Sequence, residues 1–157
     1  MGYTNKWTWI LGAFSLVVCG AIFIPMWIQW FRLRTAFDSY SVNLVCQNYS
    51  RAFEVTNSGF RSVTSLSSFE IQQRSFVTKY GPLKAVVRFN THVNVDDWPD
   101  DWRGTIDARL KYGSGDLLLT YAFVLGDGGW KMSGYSPIPI QDSGSSKLLR
   151  FPWECAR

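Results

Sequence analysis

The stretch YGSGDLLLTYAFVLGDGGWKMSGY, residues 112–135, decides the fold of this chain. Its centre, LLLTYAFVL at 117–125, is apolar at nearly every position, which is typical of a strand buried on both faces. The glycine-rich turns GSGD and GDGG on either side are short enough to join antiparallel neighbours. The stretch therefore predicts the end of an antiparallel meander, with GWKMSGY as its last strand.

Two segments before this stretch, residues 84–95 and 105–112, alternate between apolar and polar residues. Such alternation predicts strands with one face on a core and one face in water. In the first strand the predicted core-facing residues are Val87, Phe89, Thr91, Val93 and Val95, and the predicted water-facing residues are Arg88, Asn90, His92 and Asn94. On the second strand Asp107 falls in the water-facing set.

Helical patterns precede the strands. Residues 31–55 keep a rough spacing of three to four between apolar residues, and TNSGF at 56–60 is expected to end that helix. A second helix is expected to begin at the capping pair Ser67 and Glu70 and to end at Gly81. Helices followed by a bent meander predict an α+β fold, with the helices on one face of a sheet curved like a cone.

The amino-terminal segment WTWILGAFSLVVCGAIFIPMWIQWF, residues 7–31, carries no formal charge. At about 1.5 Å per residue it is long enough to cross a hydrocarbon core of about 30 Å. Tryptophans stand near both of its ends, as expected at the two membrane surfaces. A cleaved signal peptide would be shorter and would end in a small-residue site. We therefore expect a retained transmembrane anchor at 1–34, a soluble domain at 35–140 and an extension at 141–157.

The charge of the chain is concentrated near this anchor. Lys6, Arg32 and Arg34 flank the apolar segment, and the other 13 Lys and Arg residues nearly balance the 12 Asp and Glu residues. A nucleic-acid binder would carry a basic surface on its folded domain, so no nucleic-acid partner is expected. The short amino-terminal tail is expected to stay in the cytoplasm and the domain to lie on the extracytoplasmic side.

The cysteines bear on the same question of compartment. Cys46 and Cys155 bracket the soluble domain, and a disulfide between them would close a loop of about 109 residues, worth about 4–5 kcal/mol in the chain-entropy model. The alternative is two unrelated thiols in a reducing compartment.

The helix end FVTKYGPL and the last strand DGGWKMSGY resemble the nuclear-transport-factor-like (cystatin-like) superfamily over residues 36–138. The resemblance implies a cone-shaped α+β domain whose mouth is often used as a pocket, sometimes with an acid as a base. Among membrane-tethered proteins, it extends more distantly to cytochrome oxidase assembly factors and to the bitopic scaffold subunits of type IV secretion systems. Both groups pair one span with a small exported domain that binds other proteins.

Few residues suggest catalysis or metal binding. His92 is the single histidine, and the chain has no zinc, haem or phosphate-binding motif, so no cofactor and no enzymatic activity are expected. The acid-rich loop DDWPDDW at 96–102 does not have the ligand spacing of a calcium-binding EF-hand. Its two tryptophans, Trp98 and Trp102, are candidates for a partner contact.

The span itself offers a second contact surface. Gly12, Ser15 and Cys19 recur on one helix face, and small residues allow another helix to approach closely within lipid. The sequence thus predicts a non-catalytic accessory or assembly subunit of a membrane complex, with integral membrane subunits and the bilayer as its partners. The alternatives are a membrane-tethered ligand-binding or enzymatic cone domain and a secretion-system scaffold subunit.

Overall fold

The structure is a computed structural model that describes the backbone of residues 4–97 and 101–138 and the side chains of residues 20, 21, 23–95 and 102–138. Four helices precede four strands within this part of the chain. Their bounds are α1 (Thr4–Val45), α2 (Tyr49–Glu54), α3 (Ser58–Val63), α4 (Leu66–Tyr80), β1 (Ala85–Asp97), β2 (Asp101–Lys111), β3 (Asp116–Gly126) and β4 (Gly129–Pro137).

Helix α1 runs for 42 residues from the apolar segment into the domain, with Pro25 inside it. At 1.5 Å per residue its length is about 63 Å. It ends at a turn in which Gln47 adopts a positive φ of 55° and the Asn48 side chain accepts a hydrogen bond from the amide of Arg51. The helix predicted over residues 31–55 is therefore divided into the end of α1 and the short helix α2.

Residues 56–60 follow the end of a helix, as predicted, but they also begin the new helix α3. The side chain of Asn57 accepts a hydrogen bond from the amide of Phe60 at 2.7 Å and so caps a new helix that begins at Ser58. Asparagine is among the best helix N-caps because its side-chain oxygen satisfies an amide that has no partner within the helix. The asparagine that suggested a loop therefore begins a helix.

Helix α4 also begins earlier than predicted. Its cap is Ser65, whose hydroxyl accepts from the amide of Ser68 at 3.1 Å, so Ser67 lies inside the helix. The predicted end is confirmed: Gly81 follows Tyr80 with φ of 81°, a conformation that favours glycine. The carbonyl of Tyr80 accepts two hydrogen bonds from Ser114, which ties the helix end to the turn between β2 and β3.

The sheet has the order β1-β2-β3-β4 with every neighbouring pair antiparallel, and the glycine turns predicted this arrangement for β2, β3 and β4. It is curved, and register shifts interrupt the ladders between Arg88 and Asn90 and between Ala122 and Phe123. Such bulges bend a strand and increase its twist. The α+β class with a curved antiparallel sheet is therefore confirmed.

The bulge at Phe89 overturns part of the predicted alternation on β1. Arg88 pairs with Ala108, a buried residue on the helix side of the sheet, whereas Asn90 pairs with Asp107 on the other side. Because residues paired across strands share a face, the extra residue moves Arg88 to the helix side. There the Arg88 guanidinium forms an ion pair with Asp38 of α1 at 2.6 Å.

The core lies between the second half of α1 and the inner face of the sheet. The α1 residues Leu33, Phe37, Tyr40 and Leu44, spaced by three or four, are all less than 4% exposed. The ring of Phe37 lies 5.3 Å from that of Tyr121 and 6.3 Å from that of Phe123, centroid to centroid. A Cβ at Gly104 of β2 would overlap Cδ2 of Leu33, so a larger residue at this position would require the Leu33 side chain to shift.

Candidate functional site

The first part of α1 presents large apolar side chains to its surroundings. Among residues 23–31, which we call the stem, Phe23 is 66% exposed and Trp27 is 64% exposed. Because successive helical residues are separated by about 100°, the exposed side chains point in several directions rather than forming one stripe. The exposed members are Phe23, Ile24, Met26, Trp27, Ile28 and Phe31. A water-soluble helix normally shows polar side chains on such a surface.

A groove runs along the stem where it passes strand β1. Its volume is about 710 Å³, and its described walls are apolar. Among the described side chains, five of those lining the groove come from the stem and one comes from β1: Phe23, Ile24, Met26, Trp27, Trp30 and Val93. Val93 is placed there because it pairs with Gly104, directly under the point where α1 crosses the sheet.

The domain end of this groove is cationic. The Arg34 guanidinium carbon lies 4.1 Å from the centroid of the Trp30 ring, one helical turn away. Asp38, the next carboxylate along α1, is engaged by Arg88, and within the described part of the chain no carboxylate lies at ion-pair distance from Arg34.

Tyrosines gather in the interior. The rings of Tyr40 and Tyr135 lie 5.6 Å and 5.8 Å, respectively, from that of Tyr121, and Gln73 Nε2 donates to the Tyr135 hydroxyl at 3.5 Å. Burial raises the pKa of Tyr40 and of Tyr121 well above the usual range, and neighbouring phenols add to the effect. Burial also raises the pKa of Tyr112 and of Tyr135 to about 12. These hydroxyls stay protonated at neutral pH.

Large aromatic side chains occupy much of the described interior. Tyr40, Tyr121, Phe37, Phe69 and Phe123 are the largest of the side chains that lose nearly all of their solvent exposure. The Tyr40 hydroxyl is buried without a hydrogen-bond partner, so no carboxylate or histidine faces it at hydrogen-bond distance.

A polar network occupies the opposite face of the sheet. The carboxylate of Asp107 accepts from the Thr120 hydroxyl at 2.7 Å and from Asn90 Nδ2 at 3.3 Å. Asn90 Nδ2 also lies 2.7 Å from Nε2 of His92, which is exposed. Asp107 and His92 therefore lie on the outer face as predicted, held by neutral hydrogen-bond partners.

Most of the predicted partner contacts fall where side chains are not described. Gly12, Ser15 and Cys19 belong to α1, but their side chains lie outside the described residues. Within the described residues, none of the helices has a segment both long and apolar enough to cross a membrane.

The acid-rich loop at 96–102 is only partly described, and Trp98 lies outside the described residues. Trp102 does not belong to an exposed loop: it lies on β2, pairs with Val95 on the helix side of the sheet and is only 5% exposed. The core therefore covers this indole and leaves little of it for a partner. Among the described side chains there is no group of three or more metal-binding residues.

Cys46 follows the last residue of α1 and is disulfide-bonded. Cys155 lies outside the described residues, so its pairing with Cys46 stays a prediction.

Arg34 and Val93 were not identified as site residues from the sequence, where Arg34 counted only as a flanking charge. The spacing of four between Trp30 and Arg34 was the available signal, because residues four apart meet on a helix surface. Val93 could be placed beside the stem only once the strand register was known.

Comparison with known proteins finds no family model, no curated protein and no solved structure that matches this chain.

Proposed function

We propose that this chain is a non-catalytic, single-pass accessory or assembly subunit of a larger membrane protein complex. One helix enters the bilayer, and the α+β domain on the extracytoplasmic side makes protein contacts. The partners are integral membrane subunits, which the helix meets within the lipid.

The stem is the observation that carries this proposal. From Leu33 onward α1 buries one apolar stripe against the sheet, yet residues 23–31 of the same helix leave large apolar side chains exposed. Exposing such a surface to water is unfavourable by about 25 cal/mol for each Å² of apolar area, whereas hydrocarbon removes that cost. The uncharged sequence continues from the stem back to Trp7, which gives enough length to cross a bilayer.

The disulfide at Cys46 supports an extracytoplasmic position of the domain. Structural disulfides persist in oxidising compartments and are rare in the cytosol. The alternative function of a ligand-binding cone has less support, because large side chains occupy much of the described interior and the Asp107 carboxylate lies on the outer face.

The proposal is tested by purifying the tagged full-length chain from its native membrane in a mild detergent and identifying the co-purifying proteins by mass spectrometry. Stoichiometric recovery of a multi-subunit membrane complex is expected. A monomer that carries a bound small molecule and no protein partner would contradict the proposal.

A matched pair of variants shows whether the span makes the contact. Ser15→Ile places a bulky side chain on the face of small residues, and Ala21→Ile makes a comparable change about 120° away around the helix. Ser15→Ile is expected to reduce recovery of the complex and Ala21→Ile to preserve it. Equal recovery with both variants would remove this helix face from the interface.

A further inference from the structure

We propose that the groove between the stem and strand β1 binds one anionic phospholipid, with an acyl chain against the apolar walls and the phosphate at Arg34. This inference rests on the proposed membrane anchoring, because only a groove at bilayer depth meets such a lipid from the side.

The shape and walls of the groove suit a hydrocarbon chain. Its volume of about 710 Å³ falls in the range of about 300–1,000 Å³ found for small-ligand sites. Trp27 and Trp30 line it on the helix side and Val93 on the sheet side. A second transmembrane helix is a poorer occupant, because the bulky indoles keep another backbone at a distance, whereas helix contacts in lipid favour small residues.

The charge at the end of the groove selects the headgroup. Arg34 lies on the Trp30 ring, and Asp38, which would otherwise neutralise it, pairs with Arg88 at 2.6 Å. A guanidinium recognises phosphate through several parallel N–H donors, and basic groups at a membrane surface attract anionic lipids. Within the described residues Arg34 has no carboxylate at ion-pair distance, so its charge is available to a lipid phosphate.

Arg32 provides a matched control. It has the same charge and lies two residues earlier, but about 200° around the helix, so it is on the side away from the groove. General attraction of basic residues to an anionic bilayer would involve both arginines, whereas a site in the groove involves Arg34.

The test uses the full-length chain reconstituted with equal amounts of phosphatidylglycerol and phosphatidylcholine. After release into mild detergent, native mass spectrometry counts the retained lipids. The wild type and Arg32→Gln are expected to retain one phosphatidylglycerol. In Arg34→Gln the ratio of retained phosphatidylglycerol to retained phosphatidylcholine is expected to fall by about 5-fold. Trp27→Ala is expected to lower retention while keeping the preference.

Three results would overturn the inference. Arg34→Gln could keep the headgroup preference of the wild type, or Arg32→Gln and Arg34→Gln could lose it equally. The third such result is a second protein chain bound in place of the lipid. Flotation of the same variants with liposomes separates this inference from the proposed function. A wild type that floats but shows no headgroup preference contradicts only the lipid site. A wild type that does not float contradicts the membrane anchoring itself.

Discussion

The two parts of helix α1 contrast within one continuous element. Between Leu33 and Leu44 the apolar residues recur every three or four positions and are nearly inaccessible, because the sheet covers that one face. Between Phe23 and Phe31 large apolar residues occupy several faces and stay exposed. Periodic hydrophobicity indicates a helix with one protein neighbour, and hydrophobicity on several faces indicates an apolar environment around the helix. The transition falls at Arg32 and Arg34, which are the first charged residues after the stem.

The largest expected effect that separates the two parts comes from alkaline pH. The raised pKa values of Tyr112 and Tyr135, about 12 each, stabilise the folded domain below the ordinary tyrosine pKa of about 10. That stabilisation is lost as the pH rises from about 10 through about 12, and complete ionisation also requires exposure of Tyr40 and Tyr121. In detergent, we expect the phenolate absorbance to rise and the near-ultraviolet circular dichroism of the domain to disappear together over this pH range. Ionisation of all tyrosines with the dichroism intact would contradict the buried cluster.

Truncating one aromatic residue in each part of α1 gives the next effect. Phe37→Ala removes a ring packed on Tyr121 and is expected to lower the free energy of unfolding of the domain by about 3–5 kcal/mol. Trp27→Ala, in the exposed stem, is expected to change it by no more than about 0.5 kcal/mol. Urea titrations of both variants in detergent, followed by circular dichroism, measure the difference. Similar costs for the two would erase the distinction between the parts.

The crossing of α1 over the sheet is probed at Gly104. Gly104→Ala places a methyl group against Leu33 and is expected to cost about 1–3 kcal/mol of unfolding free energy. Gly126→Ala on β3 is the control, because a Cβ there meets nothing within 4 Å and is expected to cost less than about 0.5 kcal/mol. Thermal or urea unfolding of the two variants provides the comparison. A neutral Gly104→Ala would show that α1 does not pack this closely on β2.

The smallest effect concerns the ion pair just beyond the stem. Asp38→Asn leaves Arg88, whose side chain is 11% exposed, without its carboxylate and is expected to cost about 1 kcal/mol of unfolding free energy. Asp116→Asn breaks a longer contact with Arg109, 4.0 Å, at a more exposed position and is expected to cost less than about 0.5 kcal/mol. Urea titration at low and high salt separates the two. Equal costs would show that the Asp38–Arg88 ion pair stabilises the fold no more than an exposed ion pair does.

The sequence predicted the class and order of the elements well where a single period dominated. The stretch at 117–125 and its glycine turns led directly to the antiparallel order of the last strands. The predictions failed at two helix starts. Asn57, taken as part of a helix end, caps the new helix α3, and Ser65 rather than Ser67 caps α4. Side-chain hydrogen bonds to the first helical amides decide such starts, and composition does not reveal which candidate makes them.

The bulge at Phe89 is the least predictable feature of the fold. Strict alternation placed Arg88 in water, but one inserted residue moves it to the helix side, where Asp38 meets it. The same limit applies to the candidate site. The apolar stem followed from composition alone, whereas the pairing of Trp30 with Arg34 and the position of Val93 depend on how α1 crosses the sheet.

The most direct test of the account places spin-labelled residues at Ile28 in the stem and at Ser39 on the exposed side of the domain half of α1. The full-length chain is reconstituted in liposomes, and collisions with oxygen, which concentrates in hydrocarbon, are compared with collisions with a water-soluble nickel chelate. We predict that the label at Ile28 meets oxygen but not the chelate, and that the label at Ser39 meets the chelate. Equal access of the chelate to both positions would contradict the proposal that the stem lies in the membrane.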